Sequence, residues 1–176
     1  MQRARRGALL ILVVIGSTSV LSACGSAGSA SQPGSSISPA PPAATLAQDL
    51  SGLDRLVVRR SDAFPQNHIH FTFPAAVTVT DVARVRMVAR ALLTLPAMPK
   101  GIHCPIDLGI VYQLTFFRGG QALPAISIRA TGCQQVSGLG IMRWVARSPG
   151  FWRTLGLAMG LAQPGYAAFR GSGPAS

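Results

Sequence analysis

The chain contains no glutamate and one lysine, Lys100, among its 176 residues. Five aspartates face 16 Lys and Arg, so the formal net charge is +11 although only 12% of residues are charged. So few carboxylates leave little material for a two-acid catalytic site. Each aspartate also falls where a turn or helix start is expected: Asp49 and Asp54 at a linker edge, Asp62 in a turn, Asp81 at a helix start and Asp107 in Pro-Ile-Asp-Leu-Gly. Three cysteines are too few for a disulfide-dense miniprotein or a four-thiolate zinc site. No Gly-x-Ser-x-Gly elbow, P-loop or Gly-x-Gly-x-x-Gly stretch is present. The 48% hydrophobic content excludes an acidic disordered chain, and 19 Gly with 13 Pro fall short of a collagen-like composition.

What is there begins with a basic patch, Arg3, Arg5 and Arg6, followed by the apolar run Ala8 to Ile15. That run has the length of a secretory hydrophobic region and is too short to span a bilayer, which takes roughly 20 apolar residues. The residues flanking Arg5-Arg6 fit a twin-arginine signal poorly. Leu21-Ser22-Ala23-Cys24 follows, and here the chain resembles the bacterial lipoprotein precursors, whose lipobox reads Leu, a small residue, Ala or Gly, then Cys. The resemblance covers residues 1 to 24. It implies cleavage of a signal peptide, residues 1–23, between Ala23 and Cys24, and a thioether-linked diacylglycerol on Cys24. Two acyl chains anchor stably where one binds only marginally. The implied location is the extracytoplasmic face of the cell membrane.

Residues 25 to 46 contain 18 Gly, Ser, Ala or Pro in 22 positions and no charge, so residues 24–46 are expected to form a flexible tether. As a random coil it would average about 25 Å end to end. Three of the 16 cations leave with the signal, which puts the mature net charge at +8. Residues 47–165 are expected to fold as one domain and 166–176 to form a disordered tail.

Within the domain, Leu56-Val57-Val58 reads as a short strand that ends in a turn around Arg59 to Asp62. Ile69, Phe71 and Phe73 alternate with His68, His70 and Thr72, which predicts a second strand; Pro74 interrupts it before Val77 to Val79. Thr80, as N-cap, and Asp81 open a helix whose stripe is Val82, Val85, Val88, Ala89, Leu92 and Leu93, with Arg84, Arg86 and Arg90 opposite; Pro96 and Pro99 end it. Gly109 to Thr131 reads as a hairpin turning at Gly119-Gly120. Residues 141–146 fit either a strand or a helical start. Ser148-Pro149 opens a last helix, in which Gly156-xxx-Gly160 is expected to pack tightly on the sheet. The sum is an α+β fold: an antiparallel sheet of about 4–5 strands with two helices on it.

If Arg118 pairs with Gln121, the hairpin carries Cys133 opposite Ile106, two residues from Cys104. An exported domain holding just these two further cysteines is expected to join them across the central hairpin. The run Cys104-Pro105-Ile106-Asp107-Leu108-Gly109, with Tyr112, Phe116 and the closing Thr131-Gly132-Cys133, is similar to the disulfide-closed hairpins of uncharacterised exported lipoproteins. That likeness implies no activity.

Two groups of side chains carry candidate chemistry. On a strand, His68 and His70 would project from one face about 7 Å apart, a spacing that suits one metal ion, with His103 as a third donor. Arg59, Arg60, Arg84, Arg86 and Arg90 are candidates for anion binding; outside the cytoplasm the polyanions are lipid headgroups and envelope polymers, not nucleic acid. The expected function is a lipid-anchored, non-enzymatic binding or interaction module with a cationic face towards anionic lipid or envelope polymer, and no cofactor is expected. The alternative is a small cell-envelope enzyme or metal-binding protein using His68, His70 and Asp107. A pocket gathering those three side chains would favour chemistry; a continuous arginine surface would favour binding.

Overall fold

A computed structural model of the chain describes residues 46–173. The signal segment, Cys24 and all of the tether but Leu46 lie outside the described residues. Among the described residues no helix is long and apolar enough to cross a membrane.

The fold is an antiparallel sheet covered on one face by helices. In chain order the elements are β1 (Leu53–Asp62), β2 (Ala76–Val79), α1 (Val82–Leu93), β3 (Ile110–Arg118), β4 (Gln121–Ala122), β5 (Ile126–Arg129), β6 (Gln135–Ser137), β7 (Arg143–Trp144), α2 (Pro149–Ala158) and α3 (Tyr166–Arg170). The strand order is β2-β1-β3-β5-β6-β7, with β4 also paired to β3. The sheet has seven strands, more than the four or five expected. β6 and the two-residue strands escaped the pattern because they are too short for alternation to register. Residues 141–146 resolve as strand, over Arg143–Trp144.

β1 runs straight through Arg59 and Arg60, where a turn was expected. Leu56 and Val58 face the helices and Arg59 faces away. Arg60 returns to the helix side, where its guanidinium lies 3.6 Å above the Phe71 ring and donates to the Phe73 carbonyl at 3.3 Å. The aromatic face and the carbonyl offset the cost of turning a cation inward. The turn comes after Asp62, whose carboxylate accepts the Phe64 N–H at 2.8 Å.

The histidine segment is not a ladder strand. A short 3₁₀ turn at Pro65–Asn67 ends on His68 in a left-handed conformation, φ 48°, and only His70 forms a bridge, to Ser172. The alternation is real in burial, with Phe73 in the core and His68, His70 and Thr72 exposed, but Pro65 and Pro74 bracket the segment and break its pairing.

α1 is capped by Asp81, not Thr80: the Asp81 carboxylate accepts the Arg84 N–H at 3.1 Å. Val85, Val88, Ala89 and Leu92 of the expected stripe are buried, whereas Val82 stays exposed. In α2, Ser148 makes no side-chain cap, and Pro149 supplies the first turn. Gly156 packs on Pro164 rather than on the sheet. A Cβ there would come within 2.8 Å of Pro164, so this close crossing needs glycine.

The expected disordered tail is ordered through much of its length. α3 occupies Tyr166–Arg170, and Phe169 is fully buried. Its ring lies 4.9 Å from Trp152 and 5.3 Å from Tyr112, and its carbonyl accepts the Tyr112 hydroxyl at 2.9 Å. A run of small residues around Tyr166 and Phe169 hid an anchor that only tertiary packing supplies. At the other boundary, Leu46 is buried in the same core.

The hairpin follows the expected register at its tip, where Phe117 pairs with Ala122. Beyond Leu123 to Ala125 it slips by one, so Tyr112 pairs with Ile128. Extending that register brings Cys133 opposite Asp107 rather than Ile106, and the preceding loop carries Cys104 back to it. The Cys104–Cys133 disulfide is present, with Cα atoms 4.7 Å apart.

Candidate functional site

All five aspartates are engaged by backbone N–H groups. Asp49 accepts from Gly52, Asp54 from Gly120, Asp62 from Phe64, Asp81 from Arg84 and Asp107 from Gly109, at 2.8 to 3.3 Å. Asp49 is also held below the usual carboxylate range by the Ser51 hydroxyl and the Gly52 N–H. Burial alone would raise the Asp107 carboxyl, but donation from Thr131, the Gly109 N–H and Arg129 outweighs it and lowers the pKa. Two ion pairs occur among the described residues, Arg84–Asp81 and Arg129–Asp107. Carboxylates therefore close turns and cap a helix, leaving most of the positive charge without a carboxylate partner.

The five arginines singled out in the sequence do not form one patch. Arg84, Arg86 and Arg90 belong to α1; Arg84 donates to the Leu157 carbonyl at 3.3 Å and Arg86 to that of Ser51. Arg60 is taken up by Phe71 and Phe73. Arg59 alone faces away from the helices.

It does so in company. The side of the sheet opposite the helices presents Arg55, Val57, Arg59 and Ser61 from β1 and Val111, Gln113, Thr115 and Phe117 from β3. β2 adds Thr78, and β5 adds Ser127 and Arg129. Rows run straight across the strands: Ala76–Arg59–Gln113–Ser127–Ser137 is one, and Thr78–Val57–Thr115 another. These side chains are half-buried or exposed, and the strand residues packed into the core have the opposite parity, except Leu53, which lies before the register shift between Leu53 and Arg55. Arg55 lies over Phe117, 3.9 Å from the ring centroid. Strand spacing puts Arg55 about 13 Å from Arg59, and Arg129 about 12 Å diagonally from it. Between the three guanidinium groups lie hydroxyl and amide side chains, and Asp107, at the rim, is paired with Arg129 at 2.6 Å. Such a face can bind a repeating anion along its length.

Sequence reasoning missed Arg55 and Arg129. The signal was present: Arg55, Val57 and Arg59 share strand parity, as do Ser127 and Arg129 against Ile126 and Ile128. It is hidden in β1 because Arg59-Arg60-Ser61-Asp62 is polar enough to read as a turn although the strand runs to Asp62. His68, His70 and Asp107 do not come together as a reactive group. Asp107 is engaged by Gly109, Arg129 and Thr131, His70 sits on its bridge to Ser172, and His103 is exposed beside Cys104. Among the described residues, no three His, Cys, Asp or Glu side chains are placed to hold a metal ion. No protein-family model matches the chain, and neither the curated proteins nor the solved structures contain a match to it.

Proposed function

We propose that this protein is a lipid-anchored, extracytoplasmic binding module whose open sheet face takes an anionic polymer of the cell envelope. The lipobox at Leu21 to Cys24 supports the anchor and the location. The observation that carries the binding role is the open face itself: Arg55, Arg59 and Arg129 spaced across it among Thr78, Gln113, Thr115 and Ser127, with every aspartate of the chain already engaged elsewhere or at the rim. Guanidinium groups on a pleated surface meet successive anions of an extended chain, and hydroxyls between them suit a polar backbone. The contact is largely electrostatic and weakens with salt.

The test uses the full chain on phosphatidylcholine vesicles, titrated with polygalacturonate and with neutral dextran. Polygalacturonate is expected to bind, with affinity falling as salt rises, and dextran not to bind. Replacing Arg55, Arg59 and Arg129 together by Gln should weaken binding at least roughly tenfold, whereas the same change at Arg84, Arg86 and Arg90 should leave it intact. Equal loss from the two triple variants would overturn the assignment to the sheet face. Binding to phosphatidylglycerol vesicles without binding to the polymer would overturn the polymer in favour of headgroups. Mass spectrometry of membrane-extracted protein is expected to find a diacylglycerol adduct on Cys24 and no residues 1–23; unmodified full-length chain in the cytosol would overturn the anchor.

A further inference from the structure

Beyond the rim marked by the Arg129–Asp107 pair, the disulfide loop and α3 border a cleft of about 620 Å³. Pro105, Ile106, Leu108 and the ring of Tyr166 wall it, and Gln134 and Arg170 reach it as polar groups. That volume lies within the range of small-ligand sites, and an apolar lining with a few convergent polar groups is their usual composition. Leu108 and Arg170 also border a second hollow of about 300 Å³ on their other side, so Arg170 is shared by both.

Four features separate this cleft from a packing gap. Arg170 makes no ion pair or side-chain hydrogen bond among the described residues, whereas Arg129, on the same end of the domain, is paired with Asp107. Tyr166, whose ionisation burial pushes up against the pull of Arg170, presents a neutral hydroxyl beside that charge. Gln134 is one of two non-glycine residues with positive φ among the described residues, at 50°, and its side chain is held by the Trp152 indole N–H at 3.3 Å. Strain of that kind persists where surrounding structure fixes it. At the lip, Ile106 is 85% exposed, an aliphatic side chain left in solvent beside the same cleft as Arg170, which has no carboxylate partner among the described residues.

We infer that this cleft binds a small amphiphile with one anionic head, its apolar body against Ile106, Leu108 and Tyr166 and its carboxylate or phosphate on Arg170. A guanidinium donates paired hydrogen bonds to either head, and a cationic amphiphile of the same length would meet Arg170 as a like charge. The site is independent of the sheet face, since it uses none of Arg55, Arg59 or Arg129.

The protein carries its own reporter. Its two tryptophans are Trp144 and Trp152, and Gln134 links the cleft to the Trp152 indole. The full chain on phosphatidylcholine vesicles is titrated with octanoate, octyl phosphate, octylamine and inorganic phosphate, with tryptophan emission read throughout. Octanoate and octyl phosphate are expected to change the emission saturably, and octylamine and inorganic phosphate to leave it unchanged. The ratio of the two anionic affinities tells a carboxylate head from a phosphate head. Arg170→Gln is expected to weaken the tighter anion about tenfold, and Ile106→Asp, on a solvent-exposed lip that cannot disturb the core, to weaken it as well. Octylamine binding as tightly as octanoate, or an Arg170→Gln variant with wild-type affinity, would overturn the site. Saturation by inorganic phosphate alone would reduce it to an anion spot without the apolar half.

Discussion

The two halves of the sheet are held by different means. β1 and β3 are long, ten and nine residues, and pair over nearly their whole length. β5, β6 and β7 have four, three and two residues, with few ladder bonds between them. The short-stranded half is fastened by cross-links instead. The Cys104–Cys133 disulfide ties the loop before β3 to the segment after β5. Beside it, Asp107 gathers the Gly109 N–H, the Thr131 hydroxyl and the Arg129 guanidinium, while Thr131 in turn accepts the Leu108 N–H. Gly132 makes the approach feasible: at φ 64°, a Cβ there would lie 2.9 Å from that of Asp107. At the far edge, residues 96–98 pair along β7, with Trp144 donating to the Pro96 carbonyl at 2.9 Å. The difference teaches that a sheet edge too short to hold by backbone pairing can be held by a few bonds between distant loops.

The largest effect should come from breaking what both halves share. Trp152→Ala removes a ring packed against Tyr112, Phe151, Tyr166 and Phe169, and is expected to cost about 4 kcal/mol. Denaturant unfolding should show the two halves melting together; a selective loss of one half would break the comparison. Replacing Cys104 and Cys133 by Ser comes next. The separation of 29 residues corresponds to roughly 3 to 4 kcal/mol in the chain-entropy account. Hydrogen exchange should then rise in β5 to β7 before β1 and β3, and uniform loss of protection would show that the bridge is not a local fastening.

Smaller again is Asp107→Ala, expected to cost roughly 2 kcal/mol through three lost acceptor contacts. This prediction has a pH signature. The folded pKa of Asp107 is lowered, so its contribution is complete above about pH 4, the unfolded carboxyl value, and is lost as pH falls through the folded value. Wild type should lose stability in acid more steeply than Asp107→Ala, and parallel acid limbs would remove the carboxylate from the account. The smallest effect belongs to the open face. Arg55→Gln loses a cation–ring contact with Phe117 on the half-buried face, worth about 1 kcal/mol, so its thermal midpoint should move only slightly.

Much of this arrangement was legible in the residues. α1 was readable from its aliphatic stripe, the hairpin from Gly119-Gly120 between two apolar runs, and the disulfide from the position of two cysteines relative to that turn. Three features were not. β6 and β7 are too short to show a period. The slip at Leu123 to Ala125 depends on how one extra residue is absorbed, which no local preference determines. Phe169 lies in a stretch of small residues whose helix exists because Trp152 and Tyr112 receive it. The open face fell between these cases: its arginines alternate correctly, but seeing them as a row required knowing that β1 continues past Val58 and that β3 lies beside it.

The Tyr112 hydroxyl finds its acceptor at the carbonyl of Phe169, 57 residues further along. A polypeptide leaving a ribosome therefore presents its central strand well before the segment that closes over it has emerged. Until then the aromatic centre is open to solvent and to any escort that holds it. The closing contact of the core thus waits for residues near position 169, however early the central strand is made.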